Sequence, residues 1–144
     1  MPADFEYDID HKMVDIAAWD HVSIDDLLSC FQRLATLPGN LTDSIQYLDL
    51  SEAKAIAISS TGAMQLGAAY EDLLDRGLRG MVIFAPDEDV AGTAGMIMST
   101  LADLIGSFPD GFYVIRAAMP ASDVKNCLAK KEPPGEGKGV ALSS

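Results

Sequence analysis

Apolar and polar residues alternate as Phe5, Glu6, Tyr7, Asp8, Ile9, the period of two that marks a half-exposed strand. Met13 to Trp19 reads as a second strand, and Asp10-His11-Lys12 is short enough to close a hairpin between them. The period then lengthens. Ile24, Leu27, Leu28, Phe31, Leu34 and Ala35 fall on one face of a helix. Ser23 can accept one of its unpaired N–H groups, and Asp25 and Asp26 complement the dipole of its first turn. Pro38-Gly39-Asn40 ends it.

Ile45 to Leu50 predicts a short strand. A second helix starts around Ser59-Ser60-Thr61, with Ala63, Leu66, Gly67, Tyr70, Leu73 and Leu74 as its buried stripe. Gly77 stands where a left-handed residue stops a helix. Leu78 to Ala85 is nearly continuous apolar sequence, suited to a central strand covered on both faces. Pro86-Asp87-Glu88-Asp89 leads into a third helix that buries Ala94, Ile97, Met98, Leu101, Leu104 and Ile105. After a turn at Pro109-Asp110-Gly111 comes a last strand, Phe112 to Ile115. Ser122 caps a short final helix with Val124, Cys127 and Leu128 inward.

The expected order is ββαβαβαβα. It predicts an α/β fold with a mixed sheet, mainly parallel but opening with an antiparallel hairpin, and helices packed on it. Residues 1–130 make one domain. From Lys131 the sequence Lys-Glu-Pro-Pro-Gly-Glu-Gly-Lys-Gly holds too little apolar surface to offset its ordering entropy, so 131–144 reads as a flexible tail.

The charge narrows the range of partners. Twenty-two acidic against ten basic residues give a formal net charge of −12, which repels phosphate backbones and anionic headgroups. Nucleic acid is therefore not an expected partner. No run approaches the ~20 apolar residues of a membrane span. The acidic start Met1-Pro2-Ala3-Asp4-Phe5-Glu6 is unlike a secretory signal, so a cytoplasmic location is expected.

Reactive groups are sparse. Cys30 and Cys127 sit in apolar settings without an activating base. His11 and His21 flank the second strand and would stand ~30 Å apart, as surface loop residues. No Gly-x-Ser-x-Gly or phosphate-loop motif is present, and no catalytic residue, metal or cofactor is assigned. Asp87, Glu88 and Asp89 read as dipole-complementing charge before they read as cation ligands. In Ala91-Gly92-Thr93-Ala94-Gly95 the glycines allow a ligand cradle, but close packing of helix on sheet is the stronger expectation. Met64, Met81, Met96 and Met98 suit a core, or less often an apolar pocket. Trp19 suits the rim of the core. The carboxyl ends of the strands collect Asp49, Ser51, Asp87, Gly92 and Gly95, the region where open α/β sheets bind ligands.

Three stretches resemble the SpoIIAA-like (STAS/Sec14-like) group of small bacterial proteins. They are the hairpin followed by Val22-Ser23-Ile24-Asp25-Asp26-Leu27-Leu28, the strand end Tyr47-Leu48-Asp49-Leu50-Ser51, and Val82-Ile83-Phe84-Ala85-Pro86-Asp87-Glu88. The resemblance spans about Phe5 to Leu128. It implies a non-enzymatic regulatory or protein-interaction module, docking another protein or a second copy of itself. Anti-sigma-factor-antagonist STAS proteins are switched by phosphorylation in an Asp-Ser-Ser-Gly-like string. Ser59-Ser60-Thr61-Gly62 is the comparable string here, with Thr61 the nominated hydroxyl and Ser60 and Ser59 beside it. Helix capping is the more ordinary use of such residues. The acidic residue is replaced by Ser59, and the connection from Asp49 is longer than in that pattern. The Sec14-like branch implies the alternative, a carrier of a small apolar or lipid-like ligand.

Overall fold

The computed structural model describes residues 3–34, 41–106, 111–120 and 123–124. Within them run β1 (Ala3–Asp8), β2 (Met13–Ala18), β3 (Asp20–Ser23), α1 (Ile24–Leu34), β4 (Ser44–Asp49), β5 (Ala53–Ala57), α2 (Ser60–Asp75), β6 (Leu78–Phe84), α3 (Glu88–Ile105) and β7 (Phe112–Ile115). The expectations for Ala35, Pro38-Gly39-Asn40, the Ile105 side chain, Pro109-Asp110, the Ser122 cap with Cys127 and Leu128, and the 131–144 tail lie outside the described residues.

Five strands form one sheet in the order β1-β2-β4-β6-β7, with β1 antiparallel to β2 and the others parallel. This is the mixed α/β sheet that the alternation of elements predicts. Each crossover advances by one strand in the same direction. With the usual right-handed connection, all three helices then lie on one face. The packing agrees. Rows running Val14–Gln46–Met81 and Ile16–Leu48–Ile83–Val114 across the sheet meet Leu27, Phe31, Leu66, Tyr70, Ala94 and Leu101 from the helices. Phe31 of α1 meets Tyr70 of α2 edge to face, with centroids 4.9 Å apart, a contact that adds about 1 kcal/mol beyond area burial.

Two elements differ from expectation. β3 and β5 pair in parallel with each other as a separate two-stranded sheet. The chain leaves β2 at Trp19 and turns through Asp20, whose backbone is left-handed (φ +57°). Asp is among the few residues that tolerate this. The Asp20 N–H then donates to the Glu52 carbonyl. His21 consequently lies in a strand, not a loop. The unusually long connection after Asp49 is β5.

The opposite sheet face is covered differently. Met13, Ile45, Val82 and Ile115 gather with Tyr47, Phe84 and Tyr113 under Met119 and Val124, and Val124 is wholly buried. The segment after β7 therefore covers the half of this face that the helices cannot reach.

Helix 1 begins with a reciprocal cap: Asp26 Oδ2 accepts from both the Ser23 N–H and its hydroxyl, and Ser23 Oγ accepts from the Asp26 N–H. Leu104 was expected inside but is half exposed, because it lies beyond the sheet-facing stripe of Ala94, Met98 and Leu101. Gly77 has φ +112°, and a Cβ there would stand 2.5 Å from Thr42 Cα. Gly77→Ala is expected to cost about 2–3 kcal/mol in chemical denaturation, from backbone strain and collision together. Gln46 is buried among the helices with neither amide atom hydrogen-bonded. Gln46→Met preserves bulk and removes both unmet groups, so a gain of about 1–2 kcal/mol is expected by the same measurement.

Candidate functional site

The carboxyl ends of the parallel strands hold most of the residues singled out from sequence. Asp49 ends β4 on the face opposite α1, α2 and α3 and accepts the Ser51 N–H at 2.9 Å. Asp87 caps α3, accepting the Val90 N–H at 3.0 Å. Ser59 caps α2, its Oγ accepting the Gly62 N–H at 3.0 Å. Ser59 is thus a cap, whereas Ser60 and Thr61 lie exposed in the first helical turn. Gly62 fits closely against Ile24 and Ile58.

Gly92 and Gly95 do not serve the close packing expected of them. A Cβ at either position would meet nothing within 4 Å. The methionines divide. Met81 and Met98 are buried, while Met64 and Met96 are largely exposed and belong to neither core nor pocket. His11 hydrogen-bonds Asp8 at the hairpin tip, at 2.8 Å. Among the described residues no three His, Cys, Asp or Glu side chains gather as a metal site. Among the described residues no helix is long and apolar enough to cross a membrane.

Two concavities flank the strand ends. The first is an open trough of about 320 Å³ on the face opposite α1, α2 and α3, lined by Asp4, Glu6, Asp15, Ala17, Tyr47 and Asp49 among others. Sequence reasoning found the acidic alternation of β1 but not this convergence, which needs the register. Glu6 lies directly opposite Asp15, and Ala17 opposite Asp49. Like charges opposed across a ladder are destabilising. Burial, then the neighbouring charges of Asp8 and Glu6, push the Asp15 carboxyl above its ordinary pKa, against a smaller pull from His11. Asp8 moves the other way, held down chiefly by its hydrogen bonds from His11. At the trough's far side, burial raises the Tyr47 phenol, whose hydroxyl is hydrogen-bonded to the Met119 backbone.

The second concavity is an apolar chamber of about 30 Å³, room for roughly one or two water-sized groups. Leu48 and Ile83 of the sheet form its floor, Leu66, Tyr70 and Met98 its helical walls, and Val22 and Ile56 of the β3–β5 ribbon its roof. Tyr70 turns its ring to the chamber and donates its hydroxyl to Met81 Sδ at 3.7 Å. Burial drives its pKa strongly upward, so the phenol stays protonated and a donor.

The raised pKa of Asp15 has a defined sign. Its folded value exceeds its unfolded value, so the ionised form opposes folding near neutrality, and protonation relieves the penalty as pH falls through the folded pKa. Asp15→Asn is expected to stabilise by up to about 1 kcal/mol at pH 7. That advantage over wild type should shrink steadily toward pH 4 in paired thermal melts. A difference independent of pH would contradict the account.

Comparison with protein-family models, with curated proteins and with solved structures gives no match.

Proposed function

We propose that the chain is a non-enzymatic regulatory or protein-interaction module of STAS-like type, switched at a hydroxyl on the first turn of α2. The observation that supports this most is the division of labour at that turn. Ser59 makes the cap, which leaves Ser60 and Thr61 exposed on a helix of 16 residues. The first turns of α1 and α3 carry acids, Asp25 and Asp26 in one and Glu88 and Asp89 in the other, whereas that of α2 carries none. An added phosphate would supply the missing negative charge beside unpaired backbone N–H groups. Exposure matters equally, since a kinase must reach the hydroxyl and a partner must sense the product.

The test is phosphate mapping on protein recovered from its native cytoplasm, coupled to partner capture with wild type, Thr61→Val and Thr61→Glu. Phosphate on Thr61 or Ser60 is expected, with at least one partner whose capture differs fivefold or more, roughly 1 kcal/mol, between the two variants. Unmodified hydroxyls together with an identical partner set for all three proteins would overturn the reading.

A second reading, a carrier of a small apolar ligand, is favoured by the chamber beneath the β3–β5 ribbon, whose lining is almost wholly apolar. Native mass spectrometry of freshly purified protein checks it: a bound small molecule is expected, and a uniformly ligand-free mass would end it.

A further inference from the structure

Helices α1 and α2 run side by side in the same direction. At their amino ends Gly62 packs against Ile24, and at their carboxyl ends the Arg76 guanidinium donates to the Leu34 carbonyl. Between them lies a groove of about 370 Å³ that opens to solvent. Buried Phe31 and Leu73 and half-buried Leu28 form its bottom, while Gln32 of α1 and Gln65, Ala68 and Asp72 of α2 stand exposed along its rims.

The charges around this groove are one-sided. Thr61, Gln65, Ala68 and Asp72 follow one another at helical spacing, so they form a single stripe of α2 about 16 Å long. Thr61 therefore stands at the groove's amino end, whereas Ser60 is turned about 100° away from it. Asp25, exposed and one turn before Leu28 on α1, lies at that same end, and Asp72 lies toward the other. The nearby cations are engaged elsewhere. Helix α2 carries no Lys or Arg. Arg33 of α1 donates to Asp4 at 3.3 Å and covers the Phe5 ring at 5.0 Å, and Arg76 is turned to Leu34. The groove is thus apolar along its middle and acidic toward both ends. A second copy of the chain would bring the same acids against them, and an anionic bilayer is repelled by a net charge of −12.

We infer that the groove between α1 and α2 docks an amphipathic helix of another protein, one with an apolar stripe for Leu28 and Ala68 and a basic residue at each end, and that phosphate on Thr61 tightens the docking. This rests on the switch reading and adds to it the surface, the partner's chemistry, the direction of the switch and the choice of Thr61 over Ser60. A stripe of this length accepts about three turns of helix. Phosphate on Thr61 adds about −1.5 to −2 of charge at the end where Asp25 stands, so two anionic groups hold the partner's cation there. The apolar middle supplies affinity, as in other helix-in-groove complexes, and the charged ends select the partner and its orientation.

The probe is a synthetic helical peptide of about 16 residues, with leucines on one face and lysines at both ends, beside a scrambled peptide of the same composition. The full chain is titrated with each at physiological salt while the methyl NMR signals of Leu28, Ala68 and Leu73 in the groove and of Ala17 in the acidic trough are followed. The ordered peptide is expected to shift the groove methyls and to leave Ala17 unmoved. Asp72→Lys and Asp103→Lys change the net charge equally, Asp103 being exposed on α3, but only the first should weaken the peptide, by about fivefold. Ala68→Arg should weaken it about tenfold or more, by bulk and charge together. Thr61→Glu should tighten it about threefold, and Ser60→Glu should do markedly less. Shifts at Ala17 alone, equal binding of the scrambled peptide, or equal effects within either pair of charge variants would overturn the inference. Groove methyls that move with protein concentration when no peptide is present would also overturn it, assigning the groove to a second copy. Failure is separable from that of the switch reading. Peptide held in the groove of a protein whose native hydroxyls are unmodified removes the switch and keeps the docking surface, whereas phosphate on Thr61 with unmoved groove methyls removes the surface and keeps the switch.

Discussion

All three crossovers advance the sheet in the same direction, and this one constraint organises the molecule. It puts α1, α2 and α3 on a single face and deprives the other of any helix between strands. A sheet with strands as apolar as β6 cannot leave that second face wet. The segment around Met119 and Val124 covers the half over β4, β6 and β7. Among the described residues nothing covers the half over β1 and β2, and there the side chains include Glu6, Asp15 and the small Ala17.

Local rules are broken in two places, and each has a distinct origin. Glu6 opposes Asp15 on a ladder open to solvent on one side, where water screens part of the repulsion. Gln46 breaks a rule inside the core, where nothing screens it. Natural sequences tend to tolerate such departures at functional sites. The interior one lies beside Met81 under the helices, while the exposed one accords with a net charge of −12 spread over the surface.

Much of the architecture was legible because periodicity reports burial. The alternation of β1, the helical stripes from Leu27 to Leu34 and from Ala63 to Leu73, and the continuous run of β6 each declared their partners. The left-handed stop at Gly77 was equally plain. β3 and β5 were not. Asp20–Ser23 is only four residues long and runs straight into a helix cap, and Ala53–Ala57 is three alanines in five, a composition that favours helix. Their pairing is non-local and leaves no periodic trace. For the site, Ser59 could be read as a cap from its position, but the chamber arises from residues on seven different elements and the two linkers that flank β5. Gln46 looked like an ordinary strand residue because sequence does not say which row of a face lacks a partner. Gly92 and Gly95 misled in the opposite sense, since open space beside a helix is invisible in one dimension.

The two ends of the sheet are built with unequal stiffness. At the hairpin end, the Leu41 N–H donates to the Arg76 carbonyl, the Arg76 guanidinium donates to the Leu34 carbonyl, and the Tyr7 hydroxyl meets Ser44 at 3.1 Å. Gly77 sits against Thr42 with no space for even a methyl group. These bonds tie β1, α1, β4 and the end of α2 into one block. At the other end the β3–β5 ribbon is laced mainly to itself. Thermal fluctuation will therefore open the fold like a book held at its spine, and amide protons near Val22 and Ile56 will trade with solvent well before those near Ile45.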